Sequence, residues 1–216
     1  DSALFGTIFH RAAELVYKDL TANGKEIRKE DLDQVLRNDI KLQNYVDIAF
    51  KEEFFHVALT EKPEYNGTQL INAKVITSYL RQLLRNDLQY APFFMEGMEK
   101  KVTEIIEIET SQGKLALNIG GTIDRIDSKD DTLRIVDYKT GGSPKTPENI
   151  KQLFTPADGR PNYIFQTFLY ASIMCRKQSL KVAPSLLYIH RAASETYSPV
   201  IEMGEPRKPK IPVNNF

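Results

Sequence analysis

Gly120-Gly121-Thr122-Ile123-Asp124-Arg125-Ile126-Asp127-Ser128-Lys129-Asp130-Asp131-Thr132-Leu133-Arg134-Ile135-Val136-Asp137-Tyr138-Lys139 reads as two strands and the turn between them. The polar run Ser128-Lys129-Asp130-Asp131 supplies the turn, and so short a connection favours antiparallel neighbours. Side chains two apart share a strand face, so Leu133, Ile135, Asp137 and Lys139 point the same way. An acid and a base thus end a face whose first half is apolar, just before Thr140-Gly141-Gly142 opens a loop. Burying either charge without compensation is costly, so a metal, a counter-charge or a solvated cleft is implied there. An ordinary Asp–Lys pair at a strand end would satisfy the same pattern.

The first of the two strands adds a second carboxylate. Asp124 lies on the face opposite Leu117, Ile119 and Ile123, and pairing through the turn brings it near Asp137. Glycines within a strand, here Gly120 and Gly121, allow a bulge or the close approach of another group. Two carboxylates from adjacent strands are a suitable seat for Mg²⁺, which takes oxygen ligands and keeps several waters. An ammonium from Lys139 would then orient a water or stabilise developing negative charge. Asp127 reads better as a turn residue. No Ser/His/Asp constellation and no Walker-type phosphate loop offers a rival chemistry.

Outward from this stretch the pattern is mixed. Val102 to Glu109 reads as another strand, and Lys114 to Ile126 and Leu133 to Lys139 as the two just described. Upstream, Leu4 to Leu20 has helical spacing, with Asn23-Gly24 as its stop. Arg28 to Tyr90 is mostly helical, broken near Lys62-Pro63 and Asn66-Gly67. His56, beside Phe54 and Phe55, reads as a packed or surface histidine. Downstream, a loop from Thr140 to Pro161 holds a short helix near Glu148 to Phe154. A helix from Asn162 to about Lys177 and a strand from Val182 to His190 follow. Helices, then strand, strand, strand, helix and strand make an α/β class chain.

Composition sets bounds on function. The chain has 216 residues, 41% hydrophobic and 27% charged, an ordinary soluble balance. No apolar run suggests a membrane span or a secretory signal. The first residue is Asp1, which suggests an excised or processed fragment of a longer chain. The single cysteine, Cys175, rules out an internal disulfide and an all-cysteine iron–sulfur cluster built from this segment, and is compatible with a cytoplasmic location. Formal net charge is zero, yet Asn162 to Ser194 contains no Asp or Glu while holding Arg176, Lys177, Lys181 and Arg191. Glu96, Glu99, Glu104, Glu107 and Glu109 crowd an earlier stretch. A neutral average of this kind can conceal a basic groove, and equally a merely solvated basic surface.

Taken in order, Gly6-Thr7-Ile8-Phe9-His10, Gly121-Thr122-Ile123-Asp124-Arg125-Ile126-Asp127, Asp137-Tyr138-Lys139-Thr140-Gly141 and Gln166-Thr167-Phe168-Leu169-Tyr170 resemble the motifs of the PD-(D/E)XK nuclease superfamily, in its RecB- and AddB-like branch. The resemblance implies a restriction-endonuclease-like core, a central mixed sheet flanked by helices, with a helical insertion near the N-terminus. It implies a single nuclease domain over residues 1–198, with the insertion at 25–95 and the catalytic core at 99–190. Residues 199–216 then form a Pro-rich trailing segment. Asp124, Asp137 and Lys139 would be catalytic. His10, Asp124, Asp137 and the Tyr138 carbonyl would hold Mg²⁺, or Mn²⁺ in its place. Gln166 and Tyr170, four apart on one helical face, would position the substrate or the lysine. Glu14, one turn after His10, would steady it.

The implied activity is metal-dependent hydrolysis of DNA phosphodiesters in end processing or recombinational repair, with a helicase domain or subunit as partner. An idle member of the same fold, serving DNA or partner binding, is the alternative. Here the acid–acid–lysine set that distinguishes the two is intact.

Overall fold

A computed structural model describes residues 2–216. Its chain opens with α1 (Ser2–Leu20), β1 (Glu26–Ile27), α2 (Lys29–Leu36) and α3 (Asp39–Phe50), the last running into a π-helical turn at Lys51–Phe55. Then come α4 (Gly67–Tyr90), β2 (Phe93–Thr110), β3 (Gly113–Lys129) and β4 (Thr132–Lys139). After the loop stand α5 (Lys151–Phe154), α6 (Asn162–Cys175), β5 (Lys181–Tyr188), β6 (Glu202–Met203) and β7 (Ile211–Pro212). The helical and strand segments expected from periodicity are all present, with ends displaced by a few residues. The largest displacement is at β2, which starts at Phe93 rather than Val102. Phe93 and Met95 are buried while Phe94 is exposed, a two-residue alternation too short to declare itself in the sequence.

The chain divides into two compact units. The first comprises residues up to Met95 together with Tyr138–Ser143 and Leu187–Ser198. Its core is helical: Phe9, Ala12, Val16 and Tyr17 of α1 are buried, as are Leu42, Val46 and Phe50 of α3 and Ile76, Leu80 and Leu83 of α4. These residues recur at three and four, the spacing that gives a helix one apolar stripe. α4 begins in a capping box, in which Asn66 and Gln69 each accept the other's backbone N–H through their side chains, at 2.9 and 2.8 Å. This is the break expected at Asn66-Gly67. Inside the unit, the Tyr17 hydroxyl donates to Asp87, which supplies a buried carboxylate with a partner.

The second unit comprises Glu96–Asp137, Pro144–Leu186 and Pro199–Phe216. Ile123, Ile126, Leu133, Ile135 and Val182 of the strands form one core with Tyr170, Ala171, Ile173 and Met174 of α6. Cys175 packs partly against this core, and burial raises the pKa of its thiol. Residues 199–216 fold back along β5: Leu186 N–H donates to the Pro199 carbonyl, Ile201 N–H to that of Pro184 and Phe216 N–H to that of Val182.

The five-stranded sheet has the order β1-β2-β3-β4-β5. β1 pairs antiparallel with β2, and β3 antiparallel with β4. β5 follows α6 and lies beside β4, with the Lys181 N–H donating to the Asp131 carbonyl at 3.0 Å. The starts of these two strands are therefore adjacent, and the sheet is mixed. A helical crossover is what a parallel neighbour requires. A mixed five-stranded sheet with helices is the restriction-endonuclease-like α/β arrangement. Among the described residues, no helix is long and apolar enough to cross a membrane.

Candidate metal and nuclease centre

β3 and β4 meet in register from Lys129↔Thr132 to Arg125↔Val136, across a two-residue turn at Asp130-Asp131. Asp130 adopts a left-handed backbone, φ 53°, which tight turns favour and Asp tolerates. Faces alternate along this ladder. Ile126 stands opposite Ile135 on one face and Asp127 opposite Arg134 on the other. Continued by one step past the last registered pair, strand alternation sets Asp124 and Asp137 on the side that carries Ile126 and Ile135. The face is apolar, and the cluster of potential metal ligands that includes Asp124 does not include Asp137. Lys139 ends β4 two residues later, on the face of Asp137 by strand alternation. Asp124 is buried, while Asp137 and Lys139 are half-buried.

A residue the sequence did not single out joins this face. Glu99, in β2, brings a carboxylate oxygen within 4.8 Å of one from Asp124. It has a left-handed backbone, φ 46°, inside a strand, where a local departure from the extended chain re-aims the side chain. Carboxylate oxygens this close repel one another unless a proton or a cation sits between them. They are hard oxygen donors, which suits a small divalent cation such as Mg²⁺. The donor set therefore fits a metal site.

The glycines that lead the motif are explained by contact. A Cβ on Gly121 would lie 2.1 Å from the Tyr170 hydroxyl, and one on Gly120 would lie 2.2 Å from the Val102 carbonyl oxygen. No side chain fits either place. Tyr170 in turn accepts a hydrogen bond from Gln166 Nε2 at 3.0 Å, so the two residues four apart on α6 act as one unit. Tyr170 is therefore anchored beside the strand only three residues before Asp124.

In the helical unit, His10 sits half-buried on α1 with its ring edge-on to Tyr138, the centroids 5.8 Å apart. Phe9 makes a similar contact with Tyr138 at 5.9 Å. A Cβ at Gly6 would lie 3.6 Å from the Thr140 hydroxyl, so the Gly6–His10 turn of α1 packs along Tyr138–Thr140. Two separate sequence motifs are thereby brought together.

Two sequence expectations need correction. Asp127 is not a turn residue: it is fully buried in β3, bonded to Arg125 Nε at 2.7 Å and to Arg134 Nε at 2.8 Å. Burial acts to raise its pKa, but the two guanidinium groups outweigh this and hold it below the ordinary carboxylate value. Glu14 does not serve His10, because its two oxygens meet Arg11 and Lys18, each at 2.7 Å. These partners also outweigh burial and lower the Glu14 pKa. His56, expected to be packed or at the surface, is a surface residue. It is exposed, with φ 53°, and closes the π-helical turn with its Nδ1 2.9 Å from the Glu52 carbonyl.

With this geometry in view, comparison with known proteins gives a family. The model describing the PD-(D/E)XK nuclease superfamily matches residues 1–211. No curated protein matches the chain.

Proposed function

This chain belongs to the PD-(D/E)XK nuclease superfamily, and we propose that it is a Mg²⁺-dependent deoxyribonuclease of the RecB-like branch. The observation that supports this reading is the Glu99 carboxylate within 4.8 Å of that of Asp124, on a strand paired with the one that carries Asp137 and ends in Lys139. Asp124, Asp137 and Glu99 hold the cation, and His10 and the Tyr138 carbonyl complete its shell as the family motif implies. Bound there, Mg²⁺ or Mn²⁺ supplies a water of lowered pKa and offsets charge on the phosphoryl oxygens.

The remaining work falls to the chain's own groups. The Lys139 ammonium stabilises negative charge as it develops on the phosphate, or orients the attacking water. Gln166 and Tyr170 fix the approach of the strand to be cut, since Tyr170 is held against Gly121 by close packing. The proposed setting is exonucleolytic end processing or recombinational repair in the cytoplasm, with DNA delivered by a helicase domain or subunit.

Incubation of the protein with linear single- and double-stranded DNA and Mg²⁺ or Mn²⁺ tests the reading. Cleavage is expected, abolished by EDTA and reduced roughly 10²–10³-fold in Lys139→Ala, the usual cost of losing a charge-stabilising group. Metal binding without cleavage, in the presence of the helicase as well as its absence, would point to an idle module and contradict the proposal.

A further inference from the structure

The helical stretch between α1 and β2 has so far been given no part in the site. One of its residues reaches toward it. Tyr79, on α4, lies edge-on to Phe5 and to Phe9 of α1, with ring centroids 5.8 and 6.3 Å away. Phe5 and Phe9 are four apart, so they lie one above the other on a single face of α1. Tyr79 therefore grips that face over two successive turns.

Phe9 carries the contact onward. It is fully buried, and its ring also meets those of His10, at 6.1 Å, and Tyr138, at 5.9 Å. His10 and Tyr138 meet each other at 5.8 Å. The three ring planes stand at 79°, 82° and 89° to one another, so each contact is edge-to-face. That is a preferred geometry for aromatic pairs at these separations. An imidazole turns about its outer side-chain torsion in a broad, roughly two-fold well. Turning the ring of His10 would give up both edge-to-face contacts, so the cluster selects one plane for it. Tyr138, itself buried, is held in the same way by Phe9 and His10, which steadies the backbone that carries its carbonyl.

A ligand serves a metal only when its lone pair is aimed at the ion, and the groups behind it that set this aim tune affinity. We infer that Phe9 is a positioning residue of the metal centre. It sets the ring plane of His10 and the seat of Tyr138, and Tyr79 backs it from α4. Phe9→Leu would keep an apolar side chain in the core but present no ring to either neighbour. The helical stretch thereby takes part in metal binding without supplying a ligand. The inference rests on the nuclease reading, in which His10 and the Tyr138 carbonyl are ligands.

Mn²⁺ affinity of the protein without DNA, measured by calorimetry well below the melting temperature, tests it. Phe9→Leu is expected to raise the Mn²⁺ Kd roughly 10- to 100-fold, the usual effect of losing a group that orients a ligand. Tyr79→Leu, at a half-buried position, is expected to raise it less and in the same direction. Val16→Ala truncates a fully buried side chain of α1 that has no ring, and is expected to lower the melting temperature while keeping the wild-type Kd. Should Phe9→Leu fail to fold, Tyr79→Leu reads the same chain of contacts. A wild-type Kd in folded Phe9→Leu, or in Tyr79→Leu where Phe9→Leu does not fold, would overturn the positioning role and leave the nuclease reading intact. An equal rise in Val16→Ala would overturn it too, since general loosening of α1 would then account for the loss. Absence of Mn²⁺ binding by the wild type would remove the nuclease reading, and this inference with it.

Discussion

At the turn end of the β3–β4 ladder, Asp127 is wholly buried between Arg125 and Arg134. At the open end of the same ladder, Asp124 is 8% exposed and has Glu99 within 4.8 Å. The two aspartates are three residues apart on one strand and point to opposite faces. Asp127 is neutralised by the protein itself, with salt bridges of 2.7 and 2.8 Å, so nothing remains there for a ligand to do. At Asp124 the neighbouring Glu99 adds a second hard oxygen donor of the same sign, a pairing that suits a divalent cation. Burial of an acid does not mark a functional centre.

Substitution separates the two ends most sharply. Asp127→Ala leaves two buried guanidinium groups without their shared anion, and should destabilise the fold by about 3–5 kcal/mol, read by urea denaturation. Asp124→Asn should instead leave stability near that of the wild type and abolish metal-dependent cleavage. If both substitutions proved equally destabilising, the contrast between the ends would be lost.

A smaller effect probes the support of the open end. Gly121→Ala forces a methyl group against the Tyr170 hydroxyl and should cost about 1–3 kcal/mol, as overpacking does. Tyr170→Phe in that background should recover part of the loss, because the clash is with the hydroxyl. A Gly121→Ala protein as stable as the wild type would show that Tyr170 is not pinned there.

The acid limb of stability gives the finest distinction. The folded pKa of Asp127 lies below its ordinary value, so its contribution is complete above the unfolded carboxylate pKa of about 3.9 and fades as pH falls through the lower folded value. Stability measured below about pH 4 should therefore drop less steeply in Asp127→Asn than in the wild type. Parallel acid limbs would show that the arginines do not depress this group.

How much of this was legible in the sequence follows the same division. The two strands, their turn and their antiparallel pairing could be read because period two and a short polar connection leave one register. The core of α6 was legible from its apolar spacing. Asp127 was not, because Asp127-Ser128-Lys129-Asp130-Asp131 has the composition of a turn, and only the ladder shows Arg134 directly opposite. Glu99 was hidden among Glu96, Glu104, Glu107 and Glu109. Its distinguishing feature is a backbone angle, which no side-chain pattern announces. Glu14 lay one helical turn from His10, but Arg11 and Lys18 lie at equally short spacing and, being cations, are the better partners.

The most direct measurement is the melting temperature during a Mn²⁺ titration without DNA, for the wild type and Asp124→Asn. A ligand bound only by the folded state stabilises by about 2.7 kcal/mol at one hundred times its Kd, roughly 5–10 °C for a chain of this size. The account predicts a saturable rise of that order in the wild type and its loss in Asp124→Asn. An unmoved wild type, or an equal rise in both proteins, would contradict a metal centre at the open end of the ladder.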